Sequence, residues 1–219
     1  MAARRAAREV SNGGGRTRHP ERTRERILEA ATAEFSRRGL GGARVDSIAR
    51  AAGVNKRMLY HYFGNKEDVF LAVLERAYEK IRGQESALRL ENLTPVQAMK
   101  RLVRFTFRYF VDNQYFVALL NSENLHRARH IRRSARVTSI NSPLIGILGG
   151  ILRRGRAAGV FRAGVDPLQL YISIAGVAYF YFSNIHTLST IFARDLNAPV
   201  SLSARERHVV DLILGYLRR

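Results

Sequence analysis

From Pro20 onward, apolar positions recur at three- and four-residue spacing, with polar positions filling the gaps between them. That period marks one face of a helix, not the two-residue alternation of a strand. Ile27, Ala31 and Phe35, with Leu28 beside them, predict a first helix that Gly39 ends. Val45, Ile48, Ala49 and Ala52 predict a short second helix closed by Gly53. Asn55 then suits an N-cap, because its side-chain oxygen accepts an unpaired backbone N–H. Gly64 ends the third helix. Asn65 caps a fourth, which carries Val69, Phe70, Val73, Leu74 and Tyr78.

Three later starts follow the same grammar. Thr94-Pro95-Val96-Gln97 combines an N-cap, a proline at the first helical position and a capping-box glutamine. Asp166-Pro167-Leu168-Gln169 repeats it, and Ser203-Ala204-Arg205-Glu206 reads as a further capping box. Pro143 falls inside a helical pattern and predicts a kink or a break. No strand-type alternation persists and no internal repeat is visible. The expected fold class is all-α, with about nine helices. Residues 1–19 are rich in Arg, Ala and Gly without apolar periodicity, and read as a mobile basic arm that is either a plain solvated tail or a groove-seeking one.

Composition changes this picture in three ways. At 219 residues and 46% hydrophobic, the chain can build a sizeable core. The absence of cysteine excludes a disulfide framework and a thiolate metal site, and suits a reducing cytoplasm. The balance of 37 Lys and Arg against 18 Asp and Glu, a net charge of +19, points to a polyanion, either nucleic acid or an anionic membrane. A generally arginine-rich composition also accounts for bulk charge, though not for local clusters. The longest apolar run, 168–182, includes Gln169 and Ser173 and falls short of the ~20 residues of a membrane span, so it reads as a buried helix and no membrane is expected as partner.

The cluster that matters is "IARAAGVNKRMLYHYFGNKEDVF", residues 48–70. Two short helices joined by a tight glycine turn make a helix-turn-helix. Ile48, Ala49, Ala52, Val54 and Leu59 are expected to face inward, leaving Lys56, Arg57, Met58, Tyr60 and His61 outward on the second helix, with Tyr62 as a further contact and Phe63 as core. In such a motif the N-terminal residues of that helix meet base edges, while basic and tyrosine side chains hold phosphates. The run from Thr23 to about Leu74 resembles the DNA-binding domain of the TetR family of transcriptional regulators, through "IARAAGV", "LYHYF" and "NKEDVF".

The resemblance implies a homodimeric regulator, most often a repressor, that binds a palindromic double-stranded operator and is released by a small organic effector. It implies a helix-turn-helix domain over 20–65 and a larger helical ligand-binding and dimerisation domain over 66–219. The positions that fall where the family touches DNA are Arg44, Asn55, Lys56, Arg57, Met58, Tyr60, His61 and Lys66. The chain departs from the family at Arg44, where Thr or Ser is common, and at Arg57 and Met58, where small residues are common. Arg44 is a poor N-cap, so Asp46 or the backbone must serve. Arg57 is open to two roles, a bidentate guanine reader or a phosphate contact.

Farther on, Phe105, Tyr109, Phe110, Phe116, Leu119 and Leu120 form an aromatic-rich apolar face, followed closely by polar groups. Aromatic walls with a few orienting polar groups describe a small-molecule site, although such stripes also build ordinary cores. The candidate effector residues are Phe107, Phe110, Phe116, Leu120, Asn121, Asn124, His126 and Tyr179. The helices after Asp166 and at the C-terminus are apolar nearly all round and so must be covered on every side. They are the dimerisation helices by resemblance, with Leu170, Ile174, Val177, Val209, Ile213 and Tyr216 as candidate interface residues. The stretches "NSENLHRARHIRR", "NSPLIGIL" and "GVDPLQLYISIAGVAYFYFSN" resemble a subgroup tied to small organic nutrients, including heterocyclic ones.

Nothing points to catalysis. There is no cysteine nucleophile, no glycine-rich phosphate loop before a helix and no His/Glu pair at metal spacing. His126 and His130 stand four apart, but Arg127, Arg129, Arg132 and Arg133 crowd them and disfavour a cation. No enzyme activity, metal or cofactor is therefore expected. The rival reading is an architectural protein that coats DNA by charge alone.

Overall fold

The helix starts are set by their caps. Thr94 and Gln97 close a reciprocal capping box at the start of α5 (Pro95–Asp112), and Asn65 and Asp68 do the same for α4 (Lys66–Ser86). Asp166 caps α8 (Pro167–Ser183) through a 2.8 Å bond from the Gln169 N–H. The computed structural model describes residues 20–218. The expected basic arm, 1–19, lies outside them.

Around those helices stand α1 (Pro20–Gly42), α2 (Val45–Ala51), α3 (Lys56–Phe63), α6 (Gln114–Leu125), α7 (Ala135–Ala157), α9 (Ile185–Ile191) and α10 (Pro199–Leu217), with two short 3₁₀ turns at Leu90–Asn92 and Ile131–Arg133. No strand occurs among the described residues. The all-α expectation holds, with ten α-helices among the described residues where about nine were expected. Helix α9, seven residues long, is set off from α8 by a 66° bend.

The core is one continuous cluster from Ile27 to Leu217. Ile27, Ala31 and Phe35 of α1 are fully buried. Gly39, at φ 63°, ends the regular part of α1, as its position predicts. The chain then turns so that the Leu40 N–H donates to Ser122 Oγ of α6 at 3.1 Å. Helix α1 packs on α2, α4 and α6, and α5 packs on α8 and α10. Helix α7 is long and apolar enough to cross a membrane by length and composition. Here its Val137, Leu144, Leu148 and Ile151 are buried, and it packs against α4, α5 and α8.

Two local expectations are corrected. Pro143 does not break α7, which runs through it from Ala135 to Ala157; the caps at both ends and the packed stripe hold the helix across the missing N–H. Ser203 starts no helix. Pro199, pre-set for a first helical position, begins α10 earlier behind Ala198. Glu206 is thereby freed to pair with Arg104 and Arg108 of α5 at 3.5 and 2.9 Å.

Candidate nucleic-acid interface and effector pocket

The turn between α2 and α3 is built on Gly53, whose φ of 63° a Cβ would disfavour. The Val54 N–H reaches back to the Ala49 carbonyl at 3.0 Å and closes the bend. Asn55 Oδ1 accepts the Met58 N–H at 2.7 Å, so its side chain is engaged as the α3 cap. Leu59 is fully buried in the same core as Ile48, Ala49 and Ala52 of the α2 segment, and its burial fixes the rotation of α3. That rotation exposes Lys56, Arg57, Tyr60 and His61 and leaves Met58 and Tyr62 half-buried. Phe63 is half-buried too, under the Arg24 guanidinium at 4.6 Å.

The flanks of this face are held separately. Arg44 is the N-cap of α2 without a side-chain bond. Its N–H instead donates to Glu34 Oε1 at 3.1 Å, which leaves its exposed side chain free to reach outward. Burial raises the Glu34 carboxyl, but the Arg44 N–H and the Arg37 and Arg38 guanidiniums outweigh this and hold it below the usual carboxylate range. Lys56 pairs with Asp46 at 3.3 Å. Lys66, in the first turn of α4, donates to the Gly41 carbonyl at 3.4 Å. Of the eight sequence-predicted DNA residues, Arg44, Asn55, Lys56, Arg57, Tyr60 and His61 are exposed and Met58 and Lys66 half-buried, with Asn55 engaged as a cap.

A second feature lies between α4, α5, α6 and α8. It is a cavity of about 600 Å³ lined by Phe110, Phe116, Leu120, Asn124 and Tyr179 among the expected residues. Three expected residues are corrected. Phe107 is fully buried against Phe182 and Tyr181 and lines no cavity wall here. Asn121 is not part of the wall and instead accepts the hydroxyl of Tyr179, which is. His126 folds back on its own helix, Nδ1 lying 2.7 Å from the Ser122 carbonyl oxygen.

The sequence reading missed the α4 wall of Tyr78, Ile81, Arg82 and Glu85, together with Tyr171 of α8. Arg82 pairs with Glu85 inside the cavity and donates to the Tyr171 hydroxyl at 3.2 Å. Burial raises the Glu85 carboxyl, with Arg82 opposing, and pushes the Tyr78 phenol up to about 12. The available signal was a charged pair three apart inside an otherwise apolar face of α4.

Four of the six expected interface residues are corrected as well. Leu170, Ile174, Val209 and Ile213 are buried within the protomer, so they pack its own core. The exposed apolar face of α8 and α10 is Leu168, Ile172, Phe180, Leu212 and Tyr216. Val177 is half-buried, its carbonyl taken by Arg205 at 3.1 Å.

Residues 27–73 match the model of bacterial regulatory proteins of the tetR family, and residues 95–213 match the tetracyclin repressor-like C-terminal domain. The chain belongs to the TetR family. This TetR-family chain is 39% identical over 206 residues to the HTH-type transcriptional repressor NicS of Pseudomonas putida, covering 94% of the chain and 97% of that protein. It is 36% identical over 211 residues to the HTH-type transcriptional regulator RutR of Escherichia coli, covering 95% and 97%. Among solved structures, a transcriptional regulator from Streptomyces coelicolor superposes with a TM-score of 0.68 at 25% identity, covering 89% of this chain and 98% of that one. The TetR assignment makes the chain a DNA-binding transcriptional regulator, and the relatives compared are regulators rather than enzymes.

Proposed function

We propose that the chain is a ligand-responsive repressor that binds a palindromic operator as a homodimer in the cytoplasm and leaves it when a small organic effector fills the cavity. The observation that carries this is the course of α4. Its first turn flanks the reading helix, and its Tyr78, Ile81, Arg82 and Glu85 line the cavity. A ligand that favours a different setting of α4 weakens DNA binding, and DNA weakens ligand binding by the same factor.

In this reading residues 20–65 form the reading head, and 66–219 carry effector binding and dimerisation. Arg57, Met58, Tyr60 and His61 face the major groove, Arg44, Lys56 and Lys66 hold phosphates, and Asn55 sets the helix end. The effector is compact and partly planar, stacking among Phe110, Phe116, Tyr171 and Tyr179 with its polar end towards Arg82. A cavity near 600 Å³ lies within the common range for such sites. The second copy covers Leu168, Phe180, Leu212 and Tyr216, which would otherwise leave large apolar side chains in water.

The test is footprinting of the whole chain on genomic fragments with competitor DNA, repeated with a library of small organic acids and heterocycles. A protected palindrome that one compound class abolishes is the expected result. Uniform coverage without a preferred site would make the chain a coating protein driven by its charge.

A further inference from the structure

The turn between α6 and α7 is strained where it meets the cavity. Arg127 and Ala128 are consecutive, and both hold left-handed backbone at φ 55° and 59°, a conformation that non-glycine residues disfavour. One carboxylate holds the turn in that shape. Glu123, buried near the end of α6, accepts the His130 and Ile131 N–H groups through Oε1 at 2.8 and 2.9 Å. Its Oε2 takes the His130 ring Nδ1–H at 2.6 Å. Glu123 is also part of the cavity wall, beside Ala128 and Ile131 of the turn itself.

The far side of the turn grips the start of α4. Arg129 pairs with Glu67 at 3.4 Å and Arg133 with Asp68 at 2.6 Å. Ser134 donates to Glu75 at 2.6 Å. Asp68 also accepts the Asn65 N–H in the capping box, directly ahead of Lys66. The buried His130 ring stands edge-to-face on Phe70 at 5.2 Å, and Phe70 stands so on Phe35 of α1 at 5.1 Å.

We propose that Glu123 is the positioning residue through which an occupied cavity acts on the reading head: it clasps residues 126–131, and the clasped turn holds the first turn of α4 in place beside α3. This rests on the regulator reading and names its route. An occupant whose N–H or O–H donor draws the Glu123 carboxylate away frees the turn. Its two left-handed residues then relax, and the Arg129 and Arg133 grips loosen with them. The occupant's preference for the freed turn is the whole of the coupling.

The sign of one measurement separates this from a plain charge effect. Removing a carboxylate from a chain of net charge +19 strengthens attraction to phosphates by electrostatics alone. The clasp requires the opposite. Glu123→Ala and Glu67→Ala are each expected to weaken binding, to a duplex selected by the wild-type chain from a random library, by about fivefold or more. Because both act on one path, the double variant should lose no more than the stronger single.

Amide hydrogen exchange on the full-length chain should quicken at 65–70 and 126–133 in both variants, with α5 and α8 protected as before. Affinity that is unchanged or raised, or losses that multiply, overturns the proposal. Should Glu123→Ala lose protection throughout, Glu67→Ala decides, since that side chain is only part of an exposed ion pair. Should the wild-type chain select no duplex, the regulator reading fails, and exchange at 65–70 in the two variants still decides whether the clasp exists.

Discussion

Helices α3 and α8 present opposite chemistries to solvent. Helix α3 buries Leu59 and exposes Lys56, Arg57, Tyr60 and His61. Helix α8 buries Leu170, Ile174 and Ala178, turns Tyr171, Ala175 and Tyr179 to the cavity, and exposes Leu168, Ile172 and Phe180. A polyanion keeps much of its water and is met by groups that also stay hydrated. An apolar face is stable only when another apolar face removes it from water. The contrast teaches that one chain presents two unlike surfaces, and that what each leaves unsatisfied sets what could cover it: α3 leaves charge, and α8 leaves apolar area.

The largest way to break this contrast is to give α8 a charge. Phe180→Arg leaves the protomer folded, because the side chain is 58% exposed there. In a dimer that covers it, an uncompensated buried charge costs about 3–5 kcal/mol. Sedimentation should then find monomers at concentrations where the wild-type chain is dimeric. Ile213→Arg is the contrasting case, because that residue is 3% exposed in the protomer and the charge should unfold the chain itself. A Phe180→Arg dimer of unchanged affinity would remove this face from the interface.

The second break is made on the buried side of α3. Leu59→Ala deletes a fully buried side chain at the contact that sets the rotation of the helix. Truncations of that kind cost about 2–5 kcal/mol. The melting temperature should fall, and DNA affinity should fall with it because Lys56 and Arg57 lose their fixed direction. An unchanged melt beside abolished binding would mean that Leu59 is a contact residue and that the faces of α3 are reversed.

The same contrast explains what was legible in the sequence. Helix α3 is amphipathic, so its pattern names both faces, and Gly53, Asn55 and Gly64 mark its boundaries by backbone chemistry that few other residues supply. Along 59–63, Leu59 is buried and Tyr60 and His61 are exposed as expected, while Phe63, expected in the core, is half-buried. Helix α8 is apolar on every side, so its pattern states that all sides are covered without saying by what. That is why Leu170 and Ile174 were expected at an interface and lie in the protomer core, while Leu168 and Phe180 hold the exposed face. The cavity was half legible for a related reason. Its α5 and α6 aromatics form a stripe, whereas Arg82, Glu85 and Tyr171 come together only through packing across elements distant in sequence. Pro143 and Ser203 misled because a local rule yields where packing on both sides, or a stronger start at Pro199, overrides it.

Within the reading face, a finer comparison separates recognition from attraction. Arg57 is exposed in the first turn of α3, where side chains enter the groove. Arg57→Ala should cost about 1–3 kcal/mol on the operator and relax preference at one base pair per half-site. Competitive binding to an operator library measures both. An even loss across all sequences would make Arg57 a phosphate clamp and leave base reading to Met58 or His61.

The smallest expected effect belongs to Lys66. Its ammonium lies 3.4 Å from the Gly41 carbonyl, a loose hold that lets it swing to a phosphate beside the start of α4. A phosphate contact carries no sequence information, so Lys66→Ala should weaken binding to every duplex alike. Each phosphate neutralised releases counterions, and the slope of log affinity against log salt should fall in magnitude by about 1 for each phosphate that the variant no longer neutralises. A salt titration on operator and scrambled duplex in parallel reads this directly. If affinity falls while the slope stays fixed and the melt shifts, the bond to Gly41 is the function of Lys66, and the lysine ties α4 to the end of α1 instead of to DNA.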